Sequence, residues 1–182
     1  QSGAVAATYF IYKKDKKHNT GRIFSILLVL FILLILVYNP ISLRFTTIGV
    51  AIYYGLNPVI YYRLIKTESS FRSFAISDAQ AIGLGQIKES TAFYIHKEHK
   101  RGYLFLPVYN LKLAAKYLVY LKNKYNDNWS LTLAAYNWGE SNVNRRINGI
   151  KIEQDKDYRS CFRDIPETYS YITKILYPKN KA

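Results

Sequence analysis

Cysteine and acidic residues are scarce in this sequence, and each scarcity excludes a class of protein. Cys161 is the only cysteine, so an intramolecular disulfide framework and a cysteine-rich zinc site are both excluded. With only three histidines in addition, a structural metal is not expected. Asp and Glu number 12 against 26 Lys and Arg, which gives a net charge of +14. A chain this basic favours an anionic partner such as nucleic acid, anionic lipid or bacterial cell wall.

Charge is also absent from one long segment near the N terminus. Residues 23–43 carry no charged side chain, and as a helix they would extend about 31 Å, the thickness of a bilayer core. Basic residues precede this segment, so we predict a cytoplasmic tail at 1–22, a transmembrane helix at 23–43 and an extracytoplasmic domain at 44–182. A cleaved signal peptide and a buried core helix are the alternatives. Residues 45–62 are uncharged too, but Gly55 and Asn57-Pro58 divide them into two short domain helices.

The periodicity of the remaining chain is helical, and the predicted fold class is mainly α around one core. Asn57 and Pro58 predict the start of a helix that runs to about residue 70. A loop with an optional short β-hairpin is expected at 72–83, followed by a helix at about 84–99. Asn110 and Ser130 are the predicted N-caps of two further helices, and Pro166 opens the last one. Neither a Gly-rich phosphate loop nor a nucleic-acid-binding motif is present, so no nucleic-acid partner is expected.

Glu68 lies where an apolar residue is expected. Ile60, Leu64 and Glu68 are spaced by four and Phe71 follows by three, which places the carboxylate on the apolar stripe of its helix. One interpretation is a glutamate at a helix end that turns to water. The other is a carboxylic acid whose pKa is raised by apolar surroundings, so that it can donate a proton near neutral pH. Cleavage of a glycosidic bond requires such an acid.

Five sequence motifs surround this glutamate in a characteristic order. They are Ile65-Lys-Thr-Glu-Ser-Ser-Phe71, Gly83-Leu-Gly-Gln-Ile87, Leu106-Pro-Val-Tyr-Asn110, Ala134-Ala-Tyr-Asn-Trp-Gly139 and Ile165-Pro-Glu-Thr-Tyr-Ser-Tyr171. The series resembles the catalytic domain of soluble lytic transglycosylases (SLT), the goose-lysozyme-like branch of the lysozyme superfamily, over residues 46–177. The resemblance implies a lysozyme-like helical domain behind the transmembrane helix.

The resemblance also implies a set of site residues. Glu68 matches the single catalytic acid and base of the family. The remaining matches are substrate-binding or supporting residues: Ser77, Gln86, Tyr136, Asn137, Glu167 and Tyr171. Three positions depart from the family pattern, because Gly85 replaces a methionine that packs on the substrate, while Trp138 and Glu140 replace a small residue and, often, a proline. These departures affect saccharide fit more than chemistry.

The implied reaction needs one carboxylate and no metal or organic cofactor. Such enzymes cut the β-1,4 bond between N-acetylmuramic acid and N-acetylglucosamine, and the muramoyl 6-hydroxyl closes onto the anomeric carbon to give a 1,6-anhydro sugar. Two alternatives remain open. A lysozyme-type hydrolase on the same fold would need a second carboxylate, for which Asp78 is nearest in sequence. A non-catalytic wall-binding module of an envelope machine is the other, and the intact Glu68 argues against it.

The expected partners are a peptidoglycan glycan strand and a membrane crossed once. A tethered wall-cutting domain of this size would suit a secretion or conjugation apparatus, or a bacteriophage virion. The expected location is a bacterial membrane with the N terminus in the cytoplasm and the catalytic domain in the periplasm. The membrane of a membrane-containing phage is the alternative.

Overall fold

A break at Asn39 divides the chain into two units in the computed structural model, which describes the backbone of residues 2–178 and the side chains from Thr20 onwards. The first unit is helix α1, Ser2–Tyr38. Its segment Thr20–Tyr38 is long and apolar enough to cross a membrane, and none of it is buried. The second unit begins at Pro40, whose ring cannot continue the hydrogen bonding of the preceding helix.

The second unit contains seven α-helices among its described residues. They are α2 Pro40–Tyr53, α3 Pro58–Ser69, α4 Glu89–Ile95, α5 Pro107–Lys124, α6 Trp129–Trp138, α7 Glu140–Arg146 and α8 Pro166–Leu176. Short 3-10 turns lie at Arg101–Phe105 and Arg159–Phe162. In the described part of the chain, strand pairing is limited to isolated antiparallel bridges that join Ile82 to Ile76 and to Ile87. The mainly helical fold class is therefore confirmed, with these bridges in place of a regular hairpin.

Helix α6 lies at the centre of the core. Its residues 130–135 are buried without interruption, so the helix is enclosed on all sides instead of presenting one apolar stripe. It packs against α5, α7 and α8, while α3 packs against α2 and α8. This arrangement brings the C-terminal end of α3 close to α8, although the two helices are almost 100 residues apart in the sequence.

Local capping chemistry explains several of the helix boundaries. The Asn57 side chain accepts hydrogen bonds from the N–H groups of Val59 and Ile60, at 2.9 and 3.2 Å, and Pro58 occupies the first turn of α3 as predicted. The chain leaves α3 through a left-handed residue at Ser70, with a φ of 52°. Glu68 consequently stands in the last turn of α3, immediately before the chain reverses.

Several of the predicted boundaries differ from the structure. The predicted segment 23–43 contains a helix boundary, because α1 ends at Tyr38 and residues 40–43 belong to α2, where Leu43 is buried. The helix predicted at 84–99 is shorter and spans Glu89–Ile95, because Ile82 and Ile87 pair through both of their backbone hydrogen bonds. Neither predicted cap is correct: Asn110 lies inside α5, and Asn128 instead of Ser130 caps α6.

Candidate active site

The second unit contains an open cleft of about 520 Å³ beside the end of α3. Most of its lining comes from α3, from α6, from α8 and from the loop that precedes α4, and α4 and α5 contribute one residue each, Thr91 and Tyr117. All seven residues that the sequence predicts as catalytic or substrate-binding line it: Glu68, Ser77, Gln86, Tyr136, Asn137, Glu167 and Tyr171. Asp78, the nearest candidate by sequence for the second carboxylate of a hydrolase, does not line the cleft and is exposed in the loop before α4.

Glu68 has the electrostatic properties of a proton donor at neutral pH. Burial raises the pKa of its carboxyl from 4.5 to about 7, the hydrogen bond from Tyr171 opposes this rise, and the nearby charge of Glu167 adds to it. The acid and the carboxylate are then both substantially populated near pH 7, which suits a group that gives up a proton and later accepts one. The side chain nevertheless remains partly exposed to the cleft.

Two tyrosines lie near this carboxyl group, Tyr171 buried and Tyr136 partly buried. The Tyr171 hydroxyl donates a hydrogen bond to Oε1 of Glu68, which leaves Oε2 as the oxygen open to a substrate. The Tyr136 hydroxyl donates to the carbonyl oxygen of Gly85 at 2.7 Å. Burial raises the pKa of both phenols well above 10, and the charge of Glu68 raises them further, so both remain hydrogen-bond donors throughout the neutral range.

The loop from Ser77 to Ile87 forms one wall of the cleft and is fixed mainly by its own backbone. The Ser77 hydroxyl accepts a hydrogen bond from the N–H of Ala81 at 3.0 Å, and the backbone groups of the same two residues also pair. The Gln86 side chain donates to the carbonyl oxygens of Gly83 and Ala75, at 2.9 and 3.3 Å. Both predicted sugar-contacting residues therefore also stabilise the loop that carries them.

Asn110 is a buried residue of α5 that ties this loop to the core. Its Oδ1 accepts a hydrogen bond from the N–H of Gly85 at 2.8 Å, and its Nδ2 donates to the carbonyl oxygens of Ile82 and Leu104 at 2.9 and 2.8 Å. Gly83 has a φ of +78°, and a Cβ there would lie 2.3 Å from Nδ2 of Asn110. The close approach of loop and amide therefore requires glycine.

Gly85, one of the three positions that depart from the family pattern, packs closely against the core. A Cβ at this residue would lie 2.5 Å from the Cβ of Ala114 and 3.1 Å from the Tyr136 hydroxyl. A side chain cannot be added here without displacing α5 or the tyrosine. The backbone at Gly85 therefore contacts α5 directly, with no room for a side chain.

The α8 side of the cleft carries a second hydrogen-bonded pair. The buried Thr168 donates from its hydroxyl to Oδ1 of Asn137 at 2.8 Å, which orients the amide at the end of α6. Glu167 precedes it in the first turn of α8 and is exposed at the cleft. There the positive end of the helix dipole favours a carboxylate, independently of any role in the cleft.

The other two departures from the family pattern lie near the end of α6. Trp138 lines the cleft and packs against Phe162, while the Arg146 guanidinium lies 5.5 Å above its ring. Glu140 forms an ion pair with Lys124 and accepts a hydrogen bond from the Tyr120 hydroxyl at 3.2 Å. Trp138 therefore bears on the shape of the cleft, whereas Glu140 connects α7 to α5.

Sequence reasoning missed Asn110 and Thr168 as residues that organise the site. Asn110 belongs to a motif quoted above, but an asparagine near a proline at a helix start is also the pattern of an N-cap. Thr168 lies within the Glu-Thr-x-x-Tyr motif and gave no separate signal. Among the residues whose side chains are described, no three His, Cys, Asp or Glu residues are grouped as metal ligands would be.

A family model, curated relatives and solved structures all relate this chain to lytic transglycosylases. The sequence model of the transglycosylase SLT domain matches residues 48–159, more than half of the chain. Membrane-bound lytic murein transglycosylase C of Histophilus somni is 29% identical over 143 residues, covering 71% of this chain and 39% of the relative. The same-named protein of Mannheimia succiniciproducens is 31% identical with the same coverage. The chain thus spans about two fifths of the length of these relatives.

The fold has counterparts among solved structures. An inactive mutant of the lytic transglycosylase Slt from Pseudomonas aeruginosa superposes with a TM-score of 0.63 at 27% identity, covering 72% of this chain and 22% of that protein. The 70-kDa soluble lytic transglycosylase of Escherichia coli gives a TM-score of 0.57 at 22% identity over 66% of this chain and 20% of its own, a likeness of fold alone.

Proposed function

This chain belongs to the transglycosylase SLT family, and from that membership together with the geometry of the cleft we propose that it is a peptidoglycan lytic transglycosylase. The carrying observation is Glu68, a cleft carboxyl with a pKa of about 7 that accepts a hydrogen bond from Tyr171. The proposed substrate is the β-1,4 bond between N-acetylmuramic acid and N-acetylglucosamine. Curated relatives that carry the name lytic murein transglycosylase support this choice.

We assign both proton transfers of the reaction to Glu68. As an acid it protonates the bridging oxygen, so that the glycosidic bond breaks and the leaving sugar departs as an alcohol. As a base it then removes the proton from the muramoyl 6-hydroxyl, whose oxygen bonds to the anomeric carbon and forms the 1,6-anhydro ring. The proton taken from the 6-hydroxyl replaces the one given to the leaving sugar, so no water is consumed. The 6-hydroxyl belongs to the same sugar as the anomeric carbon, and this proximity accelerates its attack.

The other cleft residues are proposed to bind and position the substrate. Ser77, Gln86 and Asn137 present polar groups to the cleft, and Tyr136 closes it beside Glu68. Glu167 favours the protonated state of Glu68 through its negative charge. We expect Glu167→Ala and Tyr136→Phe to reduce turnover about 10- to 1000-fold with the fold retained, the usual range for the loss of one orienting group.

Mass analysis of the products released from purified peptidoglycan tests the proposal. The parent protein should release muropeptides ending in 1,6-anhydro-muramic acid, each lighter by one water than a hydrolase product. Glu68→Gln should fold, bind glycan and release essentially no soluble product, whereas Asp78→Asn should act like the parent. Reducing ends would establish the hydrolase instead, and full activity of Glu68→Gln would refute the assignment of the acid.

We further propose that α1 anchors the domain to a membrane. The segment Thr20–Tyr38 meets the length and hydropathy of a span, basic residues precede it, and the curated relatives are described as membrane-bound. The sequence predicts a tail at 1–22, a span at 23–43 and a domain at 44–182. In this proposal the span ends earlier, at Tyr38, and the domain begins with α2 at Pro40. The tail then lies in the cytoplasm and the domain outside it. Protease added to spheroplasts should digest the domain, and protection of the domain would overturn this orientation.

A further inference from the structure

Helix α2 is apolar on two opposite sides. Leu43, Val50 and Ala51 face the core and are buried. On the other side, Phe45, Ile48 and Ile52 follow one another at spacings of three and four, and their exposed fractions are 72, 36 and 65%. A surface helix of a domain in water carries polar residues on its outer side, so this outer side is suited to an apolar medium.

A groove of about 710 Å³ continues this surface towards α3 and α8. Ile48, Val59 and Tyr62 contribute apolar walls, and the basic side chains of Lys66 and Lys174 also line it. Apolar walls with cations at their edge match the chemistry of an anionic lipid, whose acyl chain is apolar and whose headgroup carries a phosphate.

We propose that this surface, which we call the α2 face (Phe45, Ile48, Ile52 and Val59), docks the catalytic domain onto the anionic bilayer that holds α1. The proposal rests on the proposed membrane anchor and is independent of the proposed chemistry. Only Asn39 separates the end of the membrane-compatible segment at Tyr38 from the first residue of α2. Chain connectivity therefore delivers α2 to the membrane surface, where its apolar side chains can enter the interface.

Two other occupants fit the α2 face less well. As a second membrane span, α2 would be too short, because its 14 residues extend about 21 Å against a hydrocarbon core of about 30 Å. Its inner side is also committed to the protein core. A second copy of the chain would bring the basic groove residues of both molecules together, and like charges oppose such pairing. An anionic lipid surface matches both the apolar side chains of the α2 face and the basic side chains of the adjoining groove.

Site-specific fluorescence in vesicles tests this docking on the full chain. Cys161→Ser removes the native thiol, and Ile52→Cys then carries an environment-sensitive nitrobenzoxadiazole label. The protein is reconstituted into vesicles of equal parts phosphatidylcholine and phosphatidylglycerol that contain spin-labelled lipid. We expect strong quenching of the label at residue 52 and little at Gln154→Cys, an exposed polar site between α7 and α8. Equal quenching at both sites, or none at residue 52, would overturn the proposal.

Matched substitutions separate the apolar and cationic contributions, with the label now on Val59→Cys. Phe45→Ser should lower the ratio of docked to undocked protein about tenfold, the effect of withdrawing one large apolar side chain from burial. Ile150→Ser removes another exposed apolar side chain and should have no effect. Lys66→Gln should lower the ratio about fivefold, and only when phosphatidylglycerol is present. Equal effects of Phe45→Ser and Ile150→Ser would refute the role of the α2 face.

Two further outcomes separate docking from its alternatives. Oxidation of unlabelled Ile52→Cys into disulfide-linked dimers, at a low ratio of protein to lipid, would assign the α2 face to a second copy and overturn the proposal. The fluorescence comparison should give the same result in a Glu68→Gln background, because docking does not involve the reaction. A parent protein with Glu68 intact that docks but releases no muropeptide would contradict the proposed function and leave the α2 face supported.

Discussion

Replacing Glu68 by glutamine should make the protein more stable, by an amount that depends on pH. The pKa of this carboxyl is about 7 in the folded protein and near its ordinary value of 4.5 in the unfolded chain. One pKa unit corresponds to about 1.4 kcal/mol, so complete ionisation of the buried group costs about 2 to 3 kcal/mol once screening by water in the open cleft is allowed for. Glutamine occupies the same volume and carries no charge.

The sign of the effect follows from proton binding. Below pH 4.5 both states hold the proton, and the two proteins should differ by a constant amount. Between pH 4.5 and 7 the unfolded parent releases its proton while the folded parent retains it, so the parent loses stability as the pH rises. Above pH 7 the loss is complete. The advantage of Glu68→Gln should therefore grow from pH 4.5 to 7 and then remain level.

Urea unfolding of the full chain in detergent micelles measures this difference. The two tryptophans, Trp129 and Trp138, both lie in α6, so their fluorescence reports the catalytic domain alone. Glu98→Gln removes a carboxyl from the exposed surface and controls for the change in net charge. A stability difference between Glu68→Gln and the parent that is the same at pH 4 and pH 8 would refute the raised pKa and the proton-donor role derived from it.

Three further substitutions test the support of the cleft. Tyr171→Phe removes the hydrogen bond that lowers the pKa of Glu68, so the pH profile of muropeptide release should move to higher pH; an unmoved profile would contradict this contact. Gly85→Ala forces a Cβ against α5 and should cost about 1 to 3 kcal/mol in urea unfolding, whereas Gly102→Ala, with open space around it, should be nearly neutral. Asn110→Ala leaves three buried backbone groups without their partner and should cost about 3 kcal/mol or more in the same assay, and a loss below 1 kcal/mol would contradict its bridging role.

The features predicted well from sequence are those encoded by local chemistry. Asn57-Pro58 specifies both the first turn and the cap of α3, so the start of that helix could be read directly. The apolar spacing around Glu68 likewise indicated a carboxyl group with restricted hydration, and the structure assigns it a raised pKa. The members of the cleft were identified through motif order, since no local pattern shows that α3, α6 and α8 meet.

The errors arose where distant contacts decide the conformation. Asn110 was interpreted as a cap because its local sequence fits one, but its amide is directed at backbone groups of another loop, 25 residues away in the case of Gly85. The helix predicted from residue 84 starts only at Glu89, partly because Gln86 adopts a φ of +48°, which a non-glycine residue rarely does without tertiary constraint. Hydrophobic periodicity carries no information about the hydrogen bonds of Asn110 or about the backbone conformation of Gln86.

The hydrogen bond between Tyr171 and Glu68 joins residues 103 positions apart in the sequence. Contacts of such long range form late in folding, because a large loop must close before they add any stability. Synthesis proceeds from the N terminus, so Glu68 is made 103 residues before the tyrosine whose hydroxyl binds it. A truncated or half-folded chain therefore contains Glu68 but lacks the hydrogen bond from Tyr171 that positions its carboxyl group. The proposed activity is thereby withheld until α8 has been made and has packed against α3.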